Sequence, residues 1–266
     1  MGENSNFALV TGASSGIGLE ITRELARRGH PVLMVSNEEE KLARLAGEIR
    51  SEYKIKAVPF FMDLALADSA QKVFDYCAEN RIKIEILVNN AGMFFFKDIV
   101  DIPSSSIERT INLQILTPAI LCRLFAERMI RENIKGYILN MASIAAWMMM
   151  PGLTLYNSTK SFLYCFSRAM HRETIEHGIS ITAICPGAVA TGLYNLSPRY
   201  LKLGMRLGVI MPPGRLAVLV LKKMFKRKAQ YFPDSFINGL FILIVKSVPE
   251  WMIKLFRKIV RDRQSS

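Results

Sequence analysis

Tyr156 and Lys160 stand four residues apart in the run Tyr156-Asn157-Ser158-Thr159-Lys160, within a stretch of helical periodicity. Residues at that spacing share one face of a helix. An ammonium beside a phenol lowers the phenol pKa, so the pair can give or take a proton nearer neutral pH. Ser143 stands thirteen residues before the tyrosine, just past an apolar run at 136–140, where it can hydrogen-bond a reacting oxygen. A tyrosine and a lysine at this spacing are usually accidental. Two further runs give them a context.

The first is Thr11-Gly12-Ala13-Ser14-Ser15-Gly16-Ile17-Gly18, between a β-branched run and an amphipathic one. Glycines there let the backbone approach a pyrophosphate, and the following helix offers free N–H groups and the positive end of its dipole. The spacing is G-x-x-x-G-x-G, without the lysine of a P-loop. Gly12, Ser14, Ser15, Gly16, Ile17 and Gly18 are therefore candidate contacts to a dinucleotide. The second run is Asn90-Ala91-Gly92, after a fourth strand, where small residues suit close approach to a ligand in the sheet crevice and where a plain turn also favours Asn and Gly. The second strand ends at Ser36-Asn37. No carboxylate occupies that tip to bind a ribose 2′-hydroxyl, which favours NADP(H), and Glu38 just beyond keeps NAD(H) open. Asp63 and Leu64 follow the third strand. The aspartate is placed equally to meet an adenine edge or to cap the next helix.

These residues need a scaffold that brings strand ends together. Short β-branched runs at 7–10, 31–35, 57–62, 84–88, 136–140 and 179–184 alternate with amphipathic runs at 17–28, 38–52, 66–80, 104–131 and 155–177, with Pro118 as a bend in the fourth. Alternation of this kind predicts βαβ units, hence α/β architecture: a doubly wound, Rossmann-type parallel sheet with helices on both faces. Residues 187–213 mix Gly, Pro, Tyr and Met and read as a loop or lid. A helix at 214–226 and a strand at 230–232 then close the sheet. The domain is expected over 1–233, followed by a tail over 234–266.

Composition narrows the classes. Half the 266 residues are apolar, ample for a core. The four cysteines are scattered, with no C-x-x-C pair and no histidine at ligand spacing, so neither a metal site nor a disulfide framework is expected, and a cytoplasmic setting fits. No secretory signal is recognised at the start. Residues 199–266 carry 15 Lys and Arg against 3 Asp and Glu, and the net charge of the rest is zero. In the tail, 236–245 is apolar but too short to span a bilayer. From Pro249 on, Trp251, Met252, Leu255, Phe256, Ile259 and Val260 oppose Lys254, Arg257, Lys258, Arg261 and Arg263, a basic amphipathic pattern. Such a tail can pack on its own fold, lie on an anionic membrane surface, or dock an acidic carrier. No nucleic-acid recognition motif accompanies the charge, and no nucleic-acid partner is expected.

Five separated motifs in order, TGASSGIG at 11–18, NNAG at 89–92, Asn112, Ser143 with YNSTK at 156–160, and PG at 186–187 with Thr191, resemble the short-chain dehydrogenase/reductase family over roughly residues 7–195. The resemblance implies an oxidoreductase. Tyr156 would exchange the proton, Lys160 would hold the nicotinamide ribose, and Ser143 would orient the carbonyl. Asn112 would help hold a proton-relay water, and Pro186, Gly187 and Thr191 would pack near the nicotinamide. It further implies a homodimer or homotetramer. The tail is loosely similar to members acting on long-chain 3-oxoacyl, 3-ketosphinganine and 17-ketosteroid substrates. The expected reaction is NADP(H)-dependent reduction of a hydrophobic, lipid-derived ketone, free or linked to an acyl carrier. The rivals are an alcohol dehydrogenase working oxidatively and a dinucleotide-binding regulator without turnover.

Overall fold

A computed structural model describes residues 6–148, 150–194 and 198–233. The chain runs β1 (Phe7–Thr11), α1 (Gly16–Arg27), β2 (Val32–Ser36), α2 (Glu39–Tyr53), β3 (Ala57–Phe61), α3 (Ser69–Glu79) and β4 (Ile84–Asn89). It continues through α4 (Ser104–Ile111), α5 (Thr117–Arg131), β5 (Tyr137–Met141), α6 (Thr154–Thr174), β6 (Ser180–Ile184) and β7 (Ala188–Val189). It closes with α7 (Pro198–Arg206), β8 (Ile210–Met211), α8 (Pro213–Phe225) and β9 (Gln230–Tyr231).

Seven strands form one parallel sheet in the order β3-β2-β1-β4-β5-β6-β9. Its strands are covered on both faces, which is why β2 and β6 are buried at every residue and read as nearly unbroken apolar runs. Alternate side chains go to opposite layers. Ala8 and Val10 join Ile21, Leu25, Leu42 and Leu216 under α1, α2 and α8, whereas Leu9 joins Val73, Leu121 and Phe125 under α3 and α5. Each layer removes its large side chains wholly from water, at roughly 1.5–3 kcal/mol per side chain. The doubly wound sheet expected from the alternation is the observed one. Its strand order reverses between β1 and β4, the place where a crevice opens at the carboxyl ends of the strands.

Three local expectations need correction. The stretch 104–131 is not one helix bent at Pro118. α4 and α5 run on through a wide π turn over Asn112–Leu116, with helical backbone on both sides of it, and Pro118, which has no N–H to give to the preceding turn, follows directly at the start of α5. α3 starts at Ser69 rather than Leu66, so Asp63 does not cap it. The expected lid is not plain loop: it holds α7 and a small sheet in which β7 pairs with β8. The tail at 234–266, and Met149 and Leu196 of the expected apolar wall, lie outside the described residues.

Cys77, Cys122 and Cys185 are buried, and burial pushes each thiol up to about 12, whereas Cys165 is exposed on α6. Among the described residues, no group of three or more His, Cys, Asp or Glu is gathered as a metal site would need. No helix among them is long and apolar enough to cross a membrane.

Candidate active site

The glycine turn and the NNAG run are laced together through Thr11. Its Oγ1 donates to Val88 O (3.2 Å) and accepts from the N–H groups of Asn90 (2.9 Å) and Ala91 (3.1 Å). Asn90 Nδ2 returns a bond to Thr11 O (3.1 Å). Gly12 adopts φ +65°, and a Cβ there would meet Asn90 Nδ2 at 3.0 Å and Ala91 Cα at 3.1 Å. Any larger residue would therefore be strained twice, by conformation and by space. Gly18 plays a different part: a Cβ on it would strike the Gly12 carbonyl oxygen, so it allows α1 to start close under the turn.

Two adjoining cavities run along the carboxyl ends of the strands, of about 480 Å³ and about 240 Å³. They share Gly12, Ser15, Ala91, Gly92 and Met93, so they form one elongated crevice. Gly16, Ile17, Asn90, Pro186, Gly187 and Thr191 line the larger part. Ser14, Ser36, Asn37, Asp63 and Leu64 line the smaller part. Of the expected cofactor residues, Gly18 alone lines neither. The backbone cradle at the helix N-terminus, the small residues opposite it and the length of the crevice fit a dinucleotide.

Ser143, Tyr156 and Lys160 open together into the larger cavity. Ser143 follows β5 and is 6% exposed, and its Oγ accepts from Ala145 N–H (3.1 Å). One of the two acceptor lone pairs is thus used locally, and the hydroxyl hydrogen is left for an oxygen in the cavity. Tyr156 lies in the first turn of α6, with Phe94 edge-on to its ring at 5.0 Å. Lys160 is buried one turn on, its Nζ 5.6 Å from the Tyr156 ring centroid and donating to Met141 O (2.9 Å). Burial pushes the lysine down to about 8, with the Cys185 thiol acting weakly the other way. A buried polar thread holds α6 at this distance from the sheet. Asn89 Nδ2 donates to Asn140 Oδ1 (2.8 Å), and Asn140 Nδ2 donates to Ser167 Oγ (2.8 Å), joining β4, β5 and α6.

At the other end, Ser14 Oγ bonds both Ser36 Oγ (2.8 Å) and Glu38 Oε2 (2.5 Å), and Lys41 Nζ reaches both oxygens of Glu38 at 3.0 and 3.1 Å. The Ser14 hydrogen bond first, then Lys41, holds the Glu38 carboxyl below its usual range. Although β2 ends without a carboxylate, Glu38 places one in the cavity. Asp63 accepts from Ala65 N–H (3.0 Å) and pairs with Arg109 (2.8 Å). Burial acts to raise its pKa, but Arg109 and the Ala65 N–H outweigh it, and the carboxyl titrates low.

Asn112 is the one catalytic residue expected from the resemblance that does not line the crevice. Its Nδ2 turns to Ala65 O (3.2 Å), and it lines neither cavity. Gln114, two residues on and only 1% exposed, lines the larger one. Spacing held the signal: Gln114, Pro118, Leu121 and Phe125 fall on one helical stripe, and all but the glutamine are apolar.

The chain is matched over residues 6–199 by the model of the short chain dehydrogenase family. It is 38% identical over 195 residues to very-long-chain 3-oxoacyl-CoA reductase-B of Danio rerio, a match covering 71% of this chain and 61% of that protein. To the human very-long-chain 3-oxoacyl-CoA reductase it is 34% identical over the same shares. The match thus spans about three fifths of the length of these relatives. Among solved structures, a short-chain dehydrogenase from Sphingobium yanoikuyae in complex with NADPH superposes with TM-score 0.77 at 26% identity, covering 92% of this chain and 96% of that one. The bulky-bulky ketone specific alcohol dehydrogenase of Comamonas testosteroni gives 0.75 at 26% identity, covering 92% and 95%. The likeness to long-chain 3-oxoacyl reductases read from the sequence is borne out by these relatives. With fold, motif order and a match over most of its length in agreement, the chain belongs to the short-chain dehydrogenase/reductase family.

Proposed function

We propose that the chain reduces a hydrophobic, lipid-derived ketone of the 3-oxoacyl kind to its alcohol with NADP(H). The observation that carries this reading is the placement of Tyr156, Lys160 and Ser143 at one end of a crevice whose other end is built from the glycine turn and the β2 tip. When bound, the reduced nicotinamide supplies a hydride to the carbonyl carbon. Tyr156 delivers the proton to the carbonyl oxygen, which becomes the hydroxyl. Ser143 donates a hydrogen bond to that oxygen and orients it. Lys160, charged below about pH 8, stabilises the phenolate left on Tyr156. Met93 and Leu193 line the cavity, and Phe94 backs the tyrosine, giving an apolar wall suited to an acyl chain. The test is nucleotide oxidation by the purified chain against 3-oxoacyl thioesters of rising length and small aldehydes. Turnover of long thioesters above the aldehydes is expected, and turnover of aldehydes alone would overturn the substrate reading.

The preference for NADP(H) is supported by Ser36 in place of an acid and by Lys41 at the cavity. The NADPH carried by the Sphingobium structure agrees with it. Glu38 works against it, because a carboxylate repels a 2′-phosphate. Glu38→Gln is therefore expected to tighten NADPH binding about tenfold, near 1.4 kcal/mol, and to leave NADH within about twofold. Quenching of protein fluorescence by each nucleotide checks this.

We further propose a place at the cytoplasmic face of an anionic membrane, where such a substrate is held. The sequence-based support is the basic tail. The structural support is α7 and the turn after it, where Leu203, Leu207 and Val209 are exposed among the exposed Arg199, Lys202 and Arg206. Residues 177–233 contain no acid at all. Exposed apolar side chains ringed by cations suit an interface of anionic lipid. The full chain is expected to sediment with vesicles containing phosphatidylserine and not with pure phosphatidylcholine. Leu207→Ser with Val209→Ser is expected to weaken that binding several-fold, whereas equal recovery with both vesicle types would refute it. The same reading keeps a homodimer or homotetramer, supported by the exposed Leu116, at the end of the π turn before α5, and Phe162 on α6.

A further inference from the structure

Gln114 is a buried amide with both ends engaged. Its Oε1 accepts from Met93 N–H at 2.7 Å, and its Nε2 donates to Thr159 Oγ1 at 2.7 Å. Thr159 Oγ1 in turn donates to the backbone oxygen of Tyr156 at 2.8 Å. One side chain therefore spans from the loop after β4 to the turn of α6 that bears Tyr156 and Lys160. The loop side carries Phe94, next to Met93 and edge-on to the tyrosine ring. A Cβ on Gly92 would lie 3.0 Å from Gln114 Oε1 and 3.8 Å from Lys160 Nζ, so a side chain there would press on the Gln114 amide. The π turn over 112–116 sets the phase that turns Gln114 to the cavity and Asn112 to Ala65.

We propose that Gln114 is a positioning residue of this site: its amide clamps the Tyr156–Lys160 turn against the wall that receives the substrate. Shortening the side chain by one methylene to asparagine leaves it unable to reach both partners at hydrogen-bond length. A displacement of the order of 1 Å at a proton donor costs about 100-fold in rate. The proposal rests on the reductase reading for its kinetic consequence but not for the clamp itself.

The test compares Gln114→Met, which keeps the volume, with Gln114→Asn. Thr159→Val cuts the same tie from the other end with little change of shape and replaces Gln114→Met should that variant not fold. Amide hydrogen exchange over residues 154–163 reads the clamp without substrate. Faster exchange in the Gln114 and Thr159 variants is expected; unchanged exchange in both Gln114→Met and Thr159→Val overturns the clamp. In turnover, Gln114→Met is expected to lower kcat about 100-fold with the nucleotide Kd within about threefold. Its primary isotope effect with deuterated nucleotide should rise as the chemical step becomes limiting. Turnover of Gln114→Met within about tenfold of wild type overturns the assignment even if exchange behaves as expected. Loosened exchange with no ketone reduction by wild type condemns the reductase reading and leaves the clamp standing.

Discussion

Tyr156→Phe is expected to lower kcat about a thousandfold while nucleotide affinity stays within about twofold. The ring is 7% exposed and packs edge-on against Phe94 at 5.0 Å, a contact that phenylalanine keeps. Only the hydroxyl is removed, so the loss reads the proton transfer rather than the shape of the wall. Stopped-flow reduction of a 3-oxoacyl thioester, with nucleotide titration alongside, separates the two. A phenylalanine variant turning over within tenfold of wild type would remove this tyrosine from the chemistry.

Lys160→Met is expected to abolish useful turnover and to make the protein more stable. The ammonium is buried, and burial has lowered it from 10.5 to about 8. Folding therefore disfavours its charged form. At pH 7 folded and unfolded chains both carry the proton, so the whole penalty is felt, on the order of 3 kcal/mol less whatever the Met141 carbonyl returns. Between about pH 8 and 10.5 the unfolded chain binds the extra proton, and this lysine makes stability rise with pH across that window. Methionine has similar length, fills the space and has no charge to desolvate. Its melting temperature should rise by several degrees near neutrality, and that component of the alkaline rise should vanish. Calorimetry from pH 6 to 10 checks both. In activity, kcat/KM of wild type should fall above about pH 8 as the free enzyme loses the cation. A methionine variant with an unchanged melting point would mean that the lysine is better solvated than its burial implies.

The sheet was legible because parallel strands covered on both faces have no polar side to show. The runs at β1, β2, β4 and β6 stand out as apolar blocks between amphipathic ones. The chemistry-bearing turns were legible for a related reason, since glycine, asparagine and proline mark strand ends where backbone must come close to a ligand. Phase within a helix was not. Counting forward from Ser104 gives no warning of the wide turn at Asn112, and residues on either side of such a turn exchange faces. Counting backward from Phe125 through Leu121 and Pro118 reaches Gln114 and shows which amide faces inward. α7 escaped notice because Gly204 sits in its middle, although Pro198 at its first position is a fair sign of a helix start. β7 and β8 are two residues each and exist only because the fold brings them together. Glu38 stands two residues past the end of β2, near enough to keep NAD(H) open, but spacing along a chain says nothing of a serine reaching it from another turn.

The distribution of thiols has a practical consequence. Three sulfurs are shut in the interior and held protonated, whereas Cys165 lies in the open on the same rod that bears the proton donor. A maleimide dye added to the native, unmutated chain would therefore label one place. That place rides with the catalytic helix, so a single fluorophore can follow its movement as nucleotide and ketone arrive.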